Sequence, residues 1–219
     1  MQMGPQPATT SDGTALCAQT KLRDGSRVRI RPIRASDGAL LVSAFERLGP
    51  ESRYRRFLAP LPELGQRMVR YLTDVDHHDH EAVIALDDQG EYGLGIARYI
   101  RNPDRPDTAE LAVTVIDEWH GRGLGTLLLD VISARAREEG ITTFTALMLA
   151  ENREMLDLLE ALGPVRLIDR SSGTVEVEVP IPTPGVPTGL RRLLRIAARH
   201  RVAVPLMRGH GISGAQQRG

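Results

Sequence analysis

Residues 108–140 constrain the fold of this chain more than any other stretch. Leu111, Val113 and Val115 alternate with polar or smaller residues, and a period of two predicts a β-strand. Large apolar residues then recur at helical spacing, namely Leu124, Leu127, Leu128, Val131 and Ile132. Three glycines lie between residues 120 and 126. The sequence therefore predicts a strand that leads into a helix through a glycine-rich turn.

This turn predicts an anion site. The first N–H groups of a helix have no partner within the helix, and the helix dipole adds positive potential beside them, so a phosphate binds well there. A P-loop is excluded, because Gly125 is followed directly by Thr126 and the one lysine of the chain is Lys21. The dinucleotide fingerprint is disfavoured, since Thr126 stands where its third glycine belongs.

The pattern that remains is Arg/Gln-x-x-Gly-x-Gly/Ala, matched by His120, Gly123 and Gly125. Here the chain resembles the GNAT family of acetyl-CoA-dependent N-acetyltransferases. Residues 150–156 look like the second cofactor segment of that family, and residues 48–58 resemble the opening helices of its bacterial protein-lysine acetyltransferase (Pat-like) branch. The similarity covers roughly residues 21 to 182.

The resemblance implies an α/β GNAT fold, in which helices flank a mixed central sheet. Apart from the central strand, strands are predicted at residues 27–33, 81–86, 92–100 and 141–149, and residues 165–181 are predicted to form a closing hairpin. The strands before the central one form an antiparallel meander. The strand after the turn helix must lie parallel to the central strand, because a helix intervenes. The parallel pair is therefore expected at the cofactor site.

Composition divides the chain into three parts. Residues 1–20 are predicted to be a flexible tail, residues 21–182 the GNAT domain, and residues 183–219 a proline-rich linker with a basic extension. Residues 189–219 hold seven arginines and no acidic residue. For this basic amphipathic segment we favour packing against protein, with contact to an anionic membrane or to nucleic acid as the weaker alternatives; for the protein as a whole, with its balanced charge, no nucleic-acid partner is expected.

Three short helices are predicted between the first two strands. Ser36 is the expected N-cap of the first, residues 51–58 form the second, and Pro62 opens the third. The second helix carries Arg53, Arg55 and Arg56. We favour a solvated helix face for these arginines. The alternative is a role in substrate choice, because the resembled family builds one wall of its acceptor cleft from these helices.

Other features bear on metals and location. Residues 74–80 hold three histidines and three aspartates, but structural metal sites usually draw ligands from separated segments, so we expect a polar loop and no metal. The single cysteine, Cys17, can form no internal disulfide. Basic and acidic residues balance at 28 each, and there is neither an apolar run of membrane-spanning length nor a signal-peptide pattern. We therefore expect a soluble, cytoplasmic protein.

The implied reaction moves an acetyl group from a thioester to an amine. A lysine amine has a reference pKa of about 10.4, so a base must remove a proton before it attacks. Glu110 matches the position of the glutamate that the resembled enzymes use, and partial burial beside Leu111 would suit that role. The alternative is an exposed strand residue without a chemical role. Asp117, Glu118 and the loop histidines are weaker candidates for the base.

The resemblance also implies how acetyl-CoA is held. The predicted cofactor-binding residues are Val113, Val115, His120, Gly121, Arg122, Gly123, Leu124, Gly125, Thr126 and Asn152. Glycines let the main chain approach the diphosphate, and Arg122 adds charge. Val113 and Val115 would bond the pantetheine arm through their main-chain groups. The side chain of Asn152 would bond the same arm, and the alternative role for this side chain is to cap a helix.

Two positions depart from the family pattern. His120 replaces the usual Arg or Gln, which leaves main-chain amides as the principal phosphate contacts. Leu159 stands where many relatives place a tyrosine that can protonate the leaving thiolate. Either the thiolate leaves unaided, since thiol pKa values lie near 8.5, or another group donates the proton.

We therefore predict an N-acetyltransferase that uses acetyl-CoA by direct transfer, with a protein lysine as acceptor and Glu110 as general base. A small-molecule amine or an N-terminal α-amine is the alternative acceptor, because acceptor loops vary most within a fold. A non-catalytic module that senses acyl-CoA is the alternative from another class. The sequence leaves the oligomeric state open.

Overall fold

The structure, a computed structural model, describes residues 18–182. Eight strands form one sheet: β1 (Ala18–Lys21), β2 (Arg27–Pro32), β3 (His80–Asp87), β4 (Gly93–Arg101), β5 (Thr108–Val115), β6 (Thr143–Leu149), β7 (Arg166–Ser171) and β8 (Thr174–Pro180). Five helices pack on it: α1 (Gly38–Glu46), α2 (Pro50–Phe57), α3 (Gln66–Thr73), α4 (Leu124–Glu138) and α5 (Arg153–Leu162). No helix within residues 18–182 is long and apolar enough to cross a membrane. The basic extension predicted beyond residue 182 and the first 17 residues lie outside the described part.

The sheet has the order β1-β2-β3-β4-β5-β6-β8-β7. Each pair of neighbours from β1 to β5 is antiparallel. Strands β5 and β6 are parallel, and β8 is antiparallel to both β6 and β7. Helix α4 connects the parallel pair, as a crossover connection requires. The predicted fold class, a mixed sheet with an antiparallel N-terminal meander and a parallel pair, is confirmed.

Strand β4 lies between two layers of helices. A side chain at Gly95 would come within 3.0 Å of Leu128 on α4, and one at Gly93 would come within 3.2 Å of Ala44 on α1. Gly95 and Gly93 pair with the adjacent residues Ala85 and Leu86 of β3, because Leu94 is an extra residue in β4, so they face opposite sides of the sheet and α4 and α1 approach β4 from opposite faces. We call the face that α1, α2 and α3 cover the acceptor face, and the opposite one the α4 face. Because helices cover both faces of the sheet centre, β3 and β4 are apolar along most of their length.

Strands β5 and β6 separate after three residue pairs. Thr108, Ala109 and Glu110 pair with Thr143, Phe144 and Thr145, and the pairing ends there. Residues 111–115 continue to pair with β4 on their other side. One main-chain edge of β5 is therefore left without a neighbouring strand beside the start of α4. Such an edge can bind an extended ligand as an added strand.

The sheet begins before the predicted start of the domain. Ala18–Lys21 pairs antiparallel with β2, with Ala18 opposite Ile30 and Lys21 opposite Arg27. Residues 18–20 therefore belong to the sheet, although their composition predicts a tail. Four residues are too few to show a period of two, and pairing with β2 makes this segment a strand.

The start of α1 differs from the prediction. Ser36 does not cap this helix, because it lies inside a short 3₁₀ turn, Ala35–Asp37. The carboxylate of Asp37 instead accepts the main-chain N–H of Arg34 at 2.8 Å and two guanidinium N–H groups of Arg31 at 2.6 and 2.7 Å. A buried, charged acceptor with three donors fixes this turn more strongly than a serine hydroxyl does.

The start of α3 also differs. Pro62 does not open this helix, which begins at Gln66 with Gly65 as its N-cap. The carbonyl of Pro62 accepts a hydrogen bond from the guanidinium of Arg53 at 2.8 Å. Arg53 thus ties the loop between α2 and α3 to α2, and the proline lies within that loop.

Candidate active site

A 3₁₀ turn, Asp117–Trp119, and a glycine turn join β5 to α4. Gly121 and Gly123 have φ angles of 73° and 87°, in a region that costs a residue with a Cβ about 1–2 kcal/mol. Gly125 lies in the first turn of α4, where an added Cβ would approach the Leu158 side chain at 3.7 Å, an ordinary contact. The backbone therefore requires glycine at the first two positions. At Gly125 the missing side chain leaves the helix N-terminus open to close approach.

The N-terminus of α4 offers main-chain donors. No side chain from the described residues caps it, and the N–H of Leu127 donates to the carbonyl of Gly123 at 3.1 Å. The N–H groups of Leu124, Gly125 and Thr126 come before that bond, and the geometry of a helix gives them no partner inside it. The helix is 15 residues long, so its dipole adds positive potential there. These donors fit the diphosphate predicted for this turn.

Arg122 lies at the mouth of the turn. Its guanidinium is 4.9 Å from the centre of the Trp119 ring and 3.6 Å from the carboxylate of Asp24, in the turn between β1 and β2. The ring and the carboxylate hold the cation beside the turn that precedes α4. This placement agrees with its predicted contribution of charge.

Val113 and Val115 lie on the part of β5 that has no β6 neighbour, and their side chains pack against the core. Their main-chain groups therefore remain for a ligand. The imidazole Nε2 of His120 donates to the carbonyl of Val115 at 2.8 Å, and its Nδ1 lies 3.9 Å from the carboxylate of Glu154. His120 thus occupies an acceptor that we predicted for the pantetheine arm. A ligand can bond this carbonyl by displacing the imidazole or through the second lone pair of the oxygen.

Asn152 and Leu159 are the two predicted positions on α5, at its N-cap and within the helix. The side-chain oxygen of Asn152 accepts the N–H of Met155 at 3.1 Å and caps α5, which confirms the alternative role considered for this residue. Its amide NH₂ group is not used by the cap. Leu159 is fully buried, so this position supplies no proton donor to the cleft.

Glu110 lies at the last paired position of β5, where β5 and β6 separate. Its side chain is exposed, so the predicted partial burial is wrong. Successive residues of a strand point to opposite faces. Leu111 is therefore buried on the α4 face and cannot shield Glu110, which lies on the acceptor face. Within residues 18–182 its carboxylate forms no salt bridge.

A model of the acetyltransferase (GNAT) domain matches residues 27–165 of the chain. The chain belongs to the GNAT family. GNAT domains are acyltransferases that take acetyl-CoA as cosubstrate, so the alternative of a non-catalytic sensing module is set aside.

Three relatives place this GNAT domain within the family. Acetyltransferase PA5475 of Pseudomonas aeruginosa is 34% identical over 155 residues, covering 70% of the chain and 83% of that protein. Acetyltransferase Pat of Mycolicibacterium smegmatis is 29% identical over 164 residues, covering 74% of the chain but 48% of Pat, so the chain spans about half of that relative. The crystal structure of the GNAT domain of S. lividans PAT has a TM-score of 0.71 at 34% identity and covers 77% and 98% of the two chains. These similarities confirm the resemblance to the Pat-like branch.

The three arginines of α2 have different environments in this GNAT domain. Arg53 donates to the carbonyls of Leu48 and Pro62 at 2.9 and 2.8 Å, and Arg55 pairs with Glu51 at 2.6 Å. Arg56 is half-buried against the acceptor face, where burial lowers the pKa of its guanidinium and the charge of Glu110 partly opposes that shift. The predicted solvated face is therefore wrong for Arg53 and Arg56, because α2 packs across the sheet.

The histidine-rich loop is tied to its surroundings. His77 bonds Glu81 at 2.7 Å, and His78 bonds Glu139. The ring of His80 packs 5.4 Å from that of Tyr71, and burial, followed by the charge of Arg98, lowers its pKa. In residues 18–182 no three histidine, cysteine or carboxylate side chains are arranged to hold a metal ion.

The weaker candidates for the base are engaged elsewhere. The carboxylate of Asp117 accepts the N–H of Gly49 at 3.0 Å, and that of Glu118 lies 3.8 Å from Arg47. Both contacts fix the turn after β5 to the loop and helix around α1. Neither carboxylate is on the strand that carries Glu110.

Sequence reasoning missed several polar residues on the acceptor face. Glu178 of β8 lies opposite Thr145 of β6, which in turn lies opposite Glu110, and its buried carboxylate binds Arg105 and Arg166. Two guanidinium groups neutralise Glu178, whereas Glu110 forms no salt bridge within residues 18–182 and has the charge of Arg56 nearby.

Arg98 of β4 and Thr114 of β5 were also missed. A charged residue inside a strand that is apolar on both faces is a signal in the sequence, and Arg98 is of this kind. Thr114 gives no such signal, because threonine is common in strands.

Proposed function

We propose that this GNAT domain transfers the acetyl group of acetyl-CoA to a protein lysine ε-amine by direct transfer in a ternary complex, with Glu110 as general base. The observation that carries the proposal is the position of Glu110, at the residue where β5 and β6 separate. Beyond this residue, β5 has a free main-chain edge and leads to the N-terminus of α4. The side chain of Glu110 itself lies on the acceptor face.

The chemistry needs a carboxylate that can accept a proton from the ammonium group. Glu178, on the same row of the sheet, is bound by two arginines, while Glu110 is exposed and has no ion pair in the described part of the chain. Glu110 can therefore take the proton directly or through a water molecule. Because the Glu110 side chain is exposed, solvent can carry the proton away.

On the donor side, acetyl-CoA supplies the acyl group as an activated thioester. Main-chain N–H groups of residues 124–126 would hold the diphosphate, with Arg122 beside them, and main-chain groups of Val113 and Val115 would hold the pantetheine arm. Leu159 offers no acid to the leaving thiolate. With a thiol pKa near 8.5, that thiolate is stable enough to leave without a donor from this position.

The choice of a protein lysine rests on the resemblance to the protein-lysine acetyltransferase branch. A small amine is the second candidate, because the acceptor face carries a mainly apolar cavity bounded by Phe45, Phe57 and Ile96. The predicted cytoplasmic location, the domain limits and the absence of a nucleic-acid partner stay predictions.

Labelled acetyl-CoA incubated with the chain and the soluble proteome of its host tests the proposal. Mapping by mass spectrometry should find label on lysine ε-amines, and the variant Glu110→Gln should lose that label while it still binds CoA. Label found exclusively on metabolites or on protein N-termini would contradict the lysine acceptor. Full labelling by Glu110→Gln would contradict the assigned base.

A further inference from the structure

A cavity lies between the helices α1 to α3 and the acceptor face of the sheet. Its wall is mainly apolar and includes Leu41, Phe45, Leu72 and Ile84. Three polar side chains also line it, those of Arg56, Arg98 and Thr114. Polar groups in an apolar wall fix the orientation and identity of a ligand.

Arg98 is a buried cation with unused donors. Its side chain belongs to a residue that is 3% exposed, and its Nη2 donates to the carbonyl of Leu72 at 2.5 Å, near the end of α3. Its Nε and Nη1 are buried and have no acceptor among residues 18–182. Nearly all buried donors in proteins are paired, so two free donors on one guanidinium indicate a ligand.

The charges around this guanidinium favour an anion. Burial, followed by the charge of Arg56, lowers the pKa of Arg98 to about 10, so Arg98 is still a cation at pH 7. Arg56 is the second cation, and its negative neighbour is Glu110. No carboxylate from the described residues pairs with Arg98. The cavity and the adjoining base therefore carry two positive charges against one negative charge.

The strand register places this cation close to the base. Arg98 is directly opposite Ala112 on β5 and Ala82 on β3, two residues with small side chains. Glu110 and Thr114 flank Ala112 on the same face of β5. Each is a diagonal neighbour of Arg98, at a Cβ separation of about 7–8 Å. The hydroxyl of Thr114 is buried and has no partner within residues 18–182 either.

We infer that Arg98 and Thr114 form a carboxylate subsite, and that the acceptor carries a carboxylate that lies close in space to the amine that it presents to Glu110. The free Nε–H and Nη1–H groups point to different sides of the guanidinium, so either one can donate to a carboxylate oxygen, and the threonine hydroxyl adds a second donor. The inference rests on the proposed role of Glu110. A free amino acid and a lysine beside an acidic residue share this chemistry.

Matched acceptors test the inference on the full chain. Acetyl transfer is measured for ω-amino acids from glycine to 6-aminohexanoate, each beside its primary amide, and for a peptide with Asp before Lys beside one with Asn before Lys. At least one carboxylate should be preferred over its neutral partner by roughly 10- to 100-fold in kcat/KM. Preference among the free amino acids identifies a small acceptor, and preference between the peptides identifies a protein lysine.

Variants separate the subsite from a structural role of Arg98. Arg98→Gln keeps a donor for the Leu72 carbonyl but removes the charge, whereas Arg98→Lys keeps the charge. Thr114→Val removes the hydroxyl at nearly constant shape, and Thr114→Ser keeps it. The preference for carboxylate should fall to about one in the Gln variant, fall severalfold in the Val variant, and survive in the Lys and Ser variants.

Two outcomes would overturn the subsite. One is a carboxylate-to-amide ratio of kcat/KM that is equal in the wild type, Arg98→Gln and Thr114→Val. Comparing this ratio among variants removes the effect of intrinsic amine reactivity, which is the same for all of them. The other is a loss of thermal stability in the Arg98 variants with no change in that ratio. The Thr114 hydroxyl has no partner in the described residues, so Thr114→Val should fold. If Arg98→Gln does not fold, the carboxylate-to-amide ratio of Thr114→Val alone tests the subsite.

Calorimetry keeps this inference distinct from the proposed function. The CoA-saturated chain is titrated with each acceptor and its amide. Tighter binding of carboxylates without any acetyl transfer would support the subsite and contradict the proposed function. Acetyl transfer to lysine or small amines with no binding preference for carboxylates would leave the function standing and overturn the subsite.

Discussion

The two sides of strand β5 offer different kinds of groups to a ligand. On the α4 face, the glycine turn and the first turn of α4 offer main-chain N–H groups within one continuous segment. On the acceptor face, Glu110, Arg98 and Arg56 come from two strands and a helix, and they act through side chains. The donor side is therefore local in the sequence, and the acceptor side is assembled by the fold.

This difference teaches where specificity can change. Main-chain amides at a helix N-terminus recognise a diphosphate with little dependence on the identity of the neighbouring side chains. An acceptor site built from side chains changes its ligand when one residue changes. We expect substitutions on the acceptor face to alter kcat and acceptor preference, and substitutions in the turn to alter affinity for CoA.

The largest effect is expected at the base. Glu110→Gln should lower kcat by about 10²- to 10⁴-fold, since the carboxamide cannot accept the proton of the ammonium group. Affinity for CoA should stay unchanged, because Glu110 lies on the acceptor face. Thiol release gives kcat and calorimetry gives the affinity. Glu118→Gln, at a half-exposed carboxylate beside Arg47, is the control, and an equal loss in both variants would remove Glu110 from the mechanism.

The next effect concerns the support of the acceptor wall. Burial alone would raise the pKa of Asp37, but the hydrogen bonds from Arg31 and Arg34 outweigh it and hold the pKa below the ordinary 3.8. A lowered pKa stabilises the fold above the unfolded-state value, and this contribution disappears as the pH falls through the folded-state value. Asp37→Asn should therefore lower the free energy of unfolding at pH 7 by about 2 kcal/mol.

Urea unfolding across pH checks this prediction. The difference between the wild type and Asp37→Asn should be full at pH 7 and shrink below about pH 4. Asp24→Asn, at an exposed carboxylate, should leave the unfolding free energy almost unchanged. Because Asp37 fixes the start of α1, its loss should raise the acceptor KM without altering CoA affinity. A weaker CoA affinity would show that the two sides are coupled.

A smaller effect is expected from the glycines of the turn. Gly123→Ala should cost about 1–2 kcal/mol of stability, because φ there is 87°. Gly125→Ala should leave stability equal or raise it by up to about 1 kcal/mol, since alanine suits a helix better than glycine. Both should weaken CoA binding if the diphosphate lies against the main chain. Thermal unfolding and calorimetry measure the two effects, and unchanged affinity in Gly125→Ala would place the diphosphate elsewhere.

The smallest effect is expected at the cap of α5. Asn152→Ala should cost about 1 kcal/mol, because the N–H of Met155 loses its acceptor. Asn152→Asp keeps that acceptor and should retain stability. Weaker CoA binding in both variants would show that the amide NH₂ of Asn152 also bonds the pantetheine arm. Unchanged binding in both would limit Asn152 to its role as a cap.

The sequence by itself determined the strand, the glycine turn and the helix that follow one another from residue 108. Each is encoded by local spacing: a period of two, a set of glycines and a helical period of apolar residues. It also determined the mixed sheet, because a helix between two strands forces a parallel pair. The starts of α1 and α3 were not predictable, since Asp37 bonds Arg31 before α1 and Pro62 lies in a loop that bonds Arg53 of α2.

Only the tertiary structure decided the composition of the acceptor side. The register of β3, β4 and β5 places Arg98 between two alanines and beside Glu110, residues that are distant in sequence and share no motif. It also decided that Glu110 is exposed and that Arg56 is not part of a solvated face. The physical reason is that burial and charge pairing depend on which segments meet in space, whereas a turn of main-chain donors is complete within its own few residues.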